Sequence, residues 1–341
     1  MKAVAIKGKR KFELKELEEP ISMEGKVIVD VVKTGICGSD LHYFESGIPV
    51  GLVMGHEFCG IVKDPGARKD LKPNDRITAL PISPCGKCEA CQKGNVQYCK
   101  ETWNAALGLS LENPGGLTQT IAIRPDMVIK VPDNITDNEV ALVEPTAVAL
   151  HAINLAQISI GQKVLIIGGG IIGLLSAMFA KKDGASFVAV SETNPNRGQK
   201  AVSLNVADKW FDAKEENCLV SLAQENFDCV IDCSGNASAV STALAVVKNG
   251  GTIVLVGVAT ENISIPTVLA VMKELTMKGA IAYTKEEFET CIDLLSLKEI
   301  EVTKFIDDIV SLEEVESVFK RLTSGNDAAI KILVDPKRED G

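Results

Sequence analysis

The stretch Val164-Leu165-Ile166-Ile167-Gly168-Gly169-Gly170-Ile171-Ile172-Gly173 reads as a buried strand, a glycine turn and the start of a helix. Its glycines at 168, 170 and 173 have the spacing Gly-x-Gly-x-x-Gly. Alone the triplet is a weak signal; between a strand and a helix it has the context that dinucleotide binding requires. Gly168 suits a tight turn, Gly170 lets backbone approach a pyrophosphate, and Gly173 lets the helix pack on the strand. The helix N-terminus then offers its free N–H groups to the anion. An acid is expected about 20 residues on, at the end of the second strand, to hold the ribose hydroxyls. Glu192 is the candidate. Its charge would repel a 2′-phosphate, so NAD is expected ahead of NADP. Arg197, close behind, could cover the adenine or meet such a phosphate.

Outward from this stretch the pattern alternates. Strands are expected at Lys163 to Ile167, Ser186 to Val190, Phe227 to Asp232 and Thr252 to Val258, with helices at Ile171 to Lys182 and Ala237 to Lys248. Strand–helix alternation argues an α/β unit with a doubly wound parallel sheet. Before about residue 145 the chain reads instead as short strands and loops: Lys26 to Val32, Arg76 to Pro81, Leu117 to Ile123 and Val128 to Val131. Little looks helical there until Thr136 to Leu155, which Thr136, Asp137 and Glu139 open with a helix start signal. After about Gly279 come helices at Lys285 to Leu295 and Leu312 to Thr323 and a strand at Ala329 to Val334. The charged tail from Asp335 is expected to fray.

The 341 residues suit roughly two domains. Aromatics are scarce while Val, Ile, Ala, Leu and Gly are plentiful, as in sheets covered by helices. A net charge of -10 would repel a phosphate backbone, so nucleic acid is not an expected partner. The longest uncharged apolar run, Val164 to Ala180, is short for a membrane span and carries four glycines. No apolar leader follows Met1. A cytoplasmic chain with reduced thiols is expected.

Cys85, Cys88, Cys91 and Cys99 form the pattern Cys-x2-Cys-x2-Cys-x7-Cys. Four thiolates this close suit one tetrahedral Zn2+, with no position left for water or substrate, so the site reads as structural. Disulfides and an iron–sulfur cluster are the competing readings. A second constellation is scattered: Cys37, His56 and Glu144 offer a thiolate, an imidazole and a carboxylate, the ligand types of a catalytic Zn2+ with one open position. Singly, Cys37 could be core filler, His56 a satisfied core histidine and Glu144 a helix surface residue. Jointly, beside the glycine fingerprint, the metal reading is favoured.

The segments Gly35-Ile36-Cys37-Gly38-Ser39-Asp40-Leu41-His42, Gly55-His56-Glu57-Phe58-Cys59-Gly60, the four-cysteine loop, Gly115-Gly116-Leu117, Glu144-Pro145 and the glycine fingerprint occur in one order along the chain. In this the chain resembles the zinc-dependent medium-chain dehydrogenases, and within them the sorbitol, butanediol and galactitol-phosphate branch. The resemblance implies a GroES-like, mainly β catalytic domain from 1–145 and 280–341, and a Rossmann coenzyme domain from 146–279. It implies two zinc ions per subunit and oxidation of a secondary alcohol on a polyol, diol, sugar acid or polyol phosphate. Ser39 and His42 would relay the proton. Glu57 would be an alternate zinc ligand to Glu144 or a carboxylate that orients the site. Tyr43, Phe44 and Glu45 could line the pocket or simply shape a loop. A threonine-type amino-alcohol dehydrogenase and a non-enzymatic zinc and nucleotide sensor are the competing functions. The resemblance further implies a homodimer or homotetramer, with Gly250 to Val256 as the sheet edge that pairs subunits. One departure is Asn74, where the family carries glycine before Asp75.

Overall fold

The computed structural model describes residues 1–21, 25–259 and 261–338. They divide into two units, Met1–Glu144 with Thr284–Gly341, and Pro145–Tyr283.

In Pro145–Tyr283 a six-stranded sheet runs Lys209–Asp212, Phe187–Glu192, Lys163–Ile167, Phe227–Asp232, Val247–Leu255, Thr276–Gly279, and every pairing is parallel. In chain order this is 3-2-1-4-5-6, the dinucleotide-binding arrangement, with its switch point beside the first strand. Val164, Leu165 and Ile166 are all fully buried; an unbroken apolar run rather than an alternating one is what helices on both faces demand. The fingerprint helix spans Ile171–Lys182. Gly168 has φ +105, and a Cβ on Gly173 would collide with the Gly168 carbonyl oxygen. Both glycines are therefore fixed by backbone geometry, not by composition.

One expectation fails here. Gly250 to Val256 is not a sheet edge: its strand lies between Phe227–Asp232 and Thr276–Gly279, and Thr276–Gly279 is the border. That strand also starts earlier than expected, at Val247, because Gly250 (φ +71) and a register shift let the chain rejoin the ladder.

In the other unit Val27–Gly35 is the hub. It pairs antiparallel with Glu57–Asp64, Thr120–Ile123 and Lys331–Val334. Its register sets Gly35 opposite both Glu57 and Leu333. Val27, Val29 and Val31 pack with Phe58, Val62, Ile77 and Ile121 in one core. A second core holds Phe12, Phe44 and Phe319, whose rings lie 4.8–5.4 Å apart. Asn74 takes φ +72, a region that Asn tolerates better than most residues, so the family's glycine is replaceable there.

Three local expectations change. Gly38–Ser46 is a helix, where loop was expected. Its Gly-Ser-Asp opening looks like a turn, but Asp40 accepts the Cys37 N–H (3.0 Å) and Gly47 closes the far end at φ +74. Thr136 to Leu155 is two helices, Asp137–Ala141 and Val143–Ala156, the first opened by a Thr136/Glu139 capping box. The tail does not fray at once: Asp335 pairs with Lys33 (2.6 Å) and Lys337 with Asp30 (2.9 Å). Residues 339–341 lie outside the described residues. Among the described residues no helix is long and apolar enough to cross a membrane.

Candidate active site

Cys37 follows the hub strand and caps the helix Gly38–Ser46. His56 enters the neighbouring strand from Gly55, which sits at φ +100; a Cβ there would crowd Thr34 Oγ1 and the Gly116 N. Glu57 follows at the strand's first position. One ligand atom each from Cys37, His56 and Glu57 falls within 4.8 Å of the others. His56 is 5 % exposed and Glu57 1 %.

The surroundings are acidic. Burial pushes the His56 imidazole toward neutrality, yet the Cys37 sulfur and the Asp40 and Glu144 carboxylates outweigh it and hold the imidazolium well above its usual range. Asp40, also buried, is shifted upward by desolvation. Asp40 Oδ1 stands 3.6 Å from His56 Nδ1, beyond hydrogen-bond reach, and both atoms lack a partner. Glu57 Oε1 is likewise unpartnered. A thiol, an imidazole and carboxylates with spare lone pairs, in a site that favours positive charge, fit a divalent cation.

Glu57 Oε2 is not spare. It forms a fully buried ion pair with Lys331, whose Nζ also donates to the Ile36 carbonyl (2.9 Å). Sheet register brings the two together, since Lys331 opens the strand whose Leu333 faces Gly35. A Cβ on Gly35 would strike the Glu57 carboxylate, so this glycine makes the room.

Glu144 is half-buried in the first turn of Val143–Ala156 and within electrostatic range of His56, but outside the 4.8 Å group. Ser39 (half-buried) and His42 (exposed) stand three residues apart on Gly38–Ser46, hence on one face, leading outward. Phe44 is fully buried in the aromatic core; Glu45 meets Arg10 at 3.5 Å.

The four cysteines converge too. Cys88 Sγ lies 3.5 Å and Cys85 Sγ 4.0 Å from Cys91 Sγ. Sulfurs at the corners of a zinc tetrahedron stand about 3.8 Å apart, whereas a disulfide needs about 2.05 Å. The thiols are free. Backbone N–H groups of Cys85 and Glu101 point at Cys99 Sγ, both at 3.4 Å, and lower its pKa to about 6. Burial and the neighbouring thiols push Cys91 up to about 12. Four adjacent thiolates need a cation to coexist.

In the other unit the glycine turn is open where a phosphate would come. A Cβ on Gly170 would meet nothing within 4 Å, and Gly170 gives the helix N-terminus no side-chain cap. Glu192 Oε2 accepts the Gly169 N–H (2.6 Å), while Oε1 accepts from the Asn194 N–H (2.8 Å) and Thr193 hydroxyl (3.1 Å). Arg197, half-buried on Pro195–Ser203, leaves its Nε without a partner.

Comparison with known proteins decides the family. Residues 23–133 match the alcohol dehydrogenase GroES-like domain and residues 172–297 the zinc-binding dehydrogenase domain. The Aspergillus terreus protein named "Probable D-xylulose reductase A" is 33 % identical over 338 residues, covering 95 % of this chain and 94 % of that protein. This chain belongs to the zinc-binding alcohol dehydrogenase family. Solved relatives of this dehydrogenase agree. The 2R,3R-butanediol dehydrogenase of Bacillus subtilis is 28 % identical, with TM-score 0.88 over 98 % of this chain and 99 % of its own. A zinc-binding dehydrogenase of Sinorhizobium meliloti, solved bound to NADP, is 29 % identical, with TM-score 0.88 over the same 98 % and 99 %. Zinc and a nicotinamide dinucleotide are therefore the cofactors of this dehydrogenase, and the donor sets and glycine turn suit them.

Two buried residues of this dehydrogenase site carry no expectation from the sequence. Asp40 lies between Cys37 and His42, where its residue type alone points as readily to a turn as to a buried carboxylate. Lys331 had a faint signal: a lone lysine in Ile330-Lys331-Ile332-Leu333-Val334, where an apolar strand would bury its charge.

Proposed function

We propose that this dehydrogenase oxidises a secondary alcohol of a polyol, diol, sugar acid or polyol phosphate to the ketone, with NAD as acceptor. The observation that carries the reading is the convergence of Cys37, His56 and a carboxylate in one buried, acidic site. When bound, zinc polarises the substrate hydroxyl and lowers its pKa, and the nicotinamide accepts the hydride.

About two zinc ions per chain are expected, one in the four-cysteine knot and one at Cys37 and His56. For the third protein ligand we favour Glu144, with Glu57 as the alternate. Distance alone favours Glu57. Charge argues against it: Lys331 already compensates Glu57, and its ammonium would oppose a dication on the same carboxylate. Lys331 thus holds Glu57 as an orienting group behind the site. Ser39 and His42 support an outward proton path along one helix face.

The nicotinamide cofactor is read as NAD because the Glu192 carboxylate is seated at the glycine turn, where it would repel a 2′-phosphate. The relative bound to NADP makes this a point to test. The experiment is a panel of polyols, diols, sugar acids, polyol phosphates, primary alcohols and threonine, each assayed with NAD and with NADP. Secondary alcohols with NAD should give kcat/KM at least about tenfold above the rest, or about 1.4 kcal/mol of discrimination. Preference for threonine, for primary alcohols or for NADP would refute the corresponding part.

A homodimer is proposed through the border strand Thr276–Gly279, beside which Val271 and Met272 are about three-quarters exposed (74 % and 75 %). An unpaired strand edge next to apolar side chains invites a second copy. Light scattering should give twice the chain mass or a multiple of it; a monomer at micromolar concentration would refute the pairing.

A further inference from the structure

The four sulfurs of the cysteine knot are not equivalent. Cys99 is buried and its Sγ accepts two backbone N–H groups; Cys85 Sγ accepts one from Cys88 at 3.4 Å and is also stabilised by the Lys87 N–H. Cys91 receives a weaker contribution from the Gly86 N–H. Among the described residues, no backbone N–H bonds to Cys88 Sγ. Hydrogen bonds withdraw charge from a thiolate and blunt it as a nucleophile, so Cys88 keeps the most reactive sulfur. It is also reachable. Cys88 lines a surface groove of about 770 Å³ together with Cys85, Cys99, Lys87, Glu89, Lys100 and Glu101. Cys88 and Cys91 are both half-buried, and Cys91 Sγ is 3.5 Å from Cys88 Sγ.

We propose that the knot is a peroxide-sensitive metal site in which Cys88 is the sulfur attacked and Cys91 the sulfur that closes a disulfide with it, releasing the metal. The inference rests on the reading that the knot holds zinc. The chemistry balances with a hydroperoxide as oxidant. The Cys88 thiolate attacks the distal peroxide oxygen, the O–O bond breaks, and with one proton the products are Cys88 sulfenic acid and an alcohol or water. The Cys91 thiolate then attacks Cys88 Sγ; the S–S bond forms, the S–O bond breaks, and with a second proton the hydroxyl leaves as water. Two ligands are lost, and the Cys85 and Cys99 pair cannot retain zinc alone.

The test uses the full, zinc-loaded chain. Its metal content is counted first, then hydrogen peroxide is added in steps. Released zinc is read with a chromophoric chelator, and cysteine oxidation is mapped by peptide mass spectrometry. About one zinc per chain should appear in step with a Cys88–Cys91 disulfide, and a dithiol reductant with added zinc should reverse both. The Cys37→Ser chain, which lacks the other proposed site, should release its remaining zinc over the same peroxide range. Release accompanied by a Cys85–Cys99 link, or zinc retained under excess peroxide, would overturn the proposal. A chain without sulfur-bound zinc before peroxide would instead overturn the zinc reading of the knot.

Discussion

Cys37→Ser should leave about one zinc per chain and lower kcat/KM by well over 100-fold, since loss of an outer-shell partner alone costs 10–100-fold. Cys37 supplies the only sulfur among the proposed ligands of that site, beside His56. Serine is close in size, so the helix Gly38–Ser46 should form as before: Asp40 caps it through the backbone N–H of residue 37, which serine retains. The four-cysteine knot should keep its metal, because none of its ligands changes. Metal analysis by mass spectrometry, run beside the turnover assay, checks both halves. Two zincs retained with activity lost would mean that Cys37 acts otherwise than as a ligand. One zinc lost with activity intact would move the chemistry elsewhere.

Lys331→Met should destabilise the chain by about 3–5 kcal/mol, the cost of leaving one member of a buried ion pair uncompensated. Lys331 and Glu57 are respectively 0 % and 1 % exposed at their side chains, so both charges lie out of contact with solvent. Glu57→Gln combined with Lys331→Met removes both charges and should recover most of the loss, since apolar or neutral replacement of a buried pair is often tolerated. Urea unfolding of wild type, both single variants and the double variant measures the coupling. If Lys331→Met alone were neutral, the pair would not be holding Glu57, and the case for Glu144 as third ligand would weaken with it.

How much of this was legible in sequence depended on whether a signal was local. The strand Lys163–Ile167, the helix Ile171–Lys182 and the strand Phe227–Asp232 were readable because an apolar run ends at a residue with a backbone reason to end it, such as Gly168. The four cysteines were readable because ligand spacing is written in consecutive residues. The helix Gly38–Ser46 was not, because its turn-like opening is stabilised by one side chain, Asp40, that could as well have made an isolated turn. The border of the parallel sheet was misplaced because strand order is set by crossovers: Gly250 to Val256 has the composition of a border or an interior strand alike. Lys331 lies 274 residues from Glu57 along the chain, and only sheet register brings them into contact.

In the proposed function, chemistry belongs to Cys37, His56 and a carboxylate, while the more conspicuous four-cysteine knot has no position open to substrate. Zinc K-edge X-ray absorption on the purified wild-type chain, with Cys37→Ser alongside, tests it most directly. Wild type should show a mixed average shell, with sulfur at about 2.3 Å and nitrogen or oxygen at about 2.0–2.2 Å, collapsing in Cys37→Ser to sulfur alone. A sulfur-only shell in active wild-type enzyme, unchanged by the substitution, would contradict it.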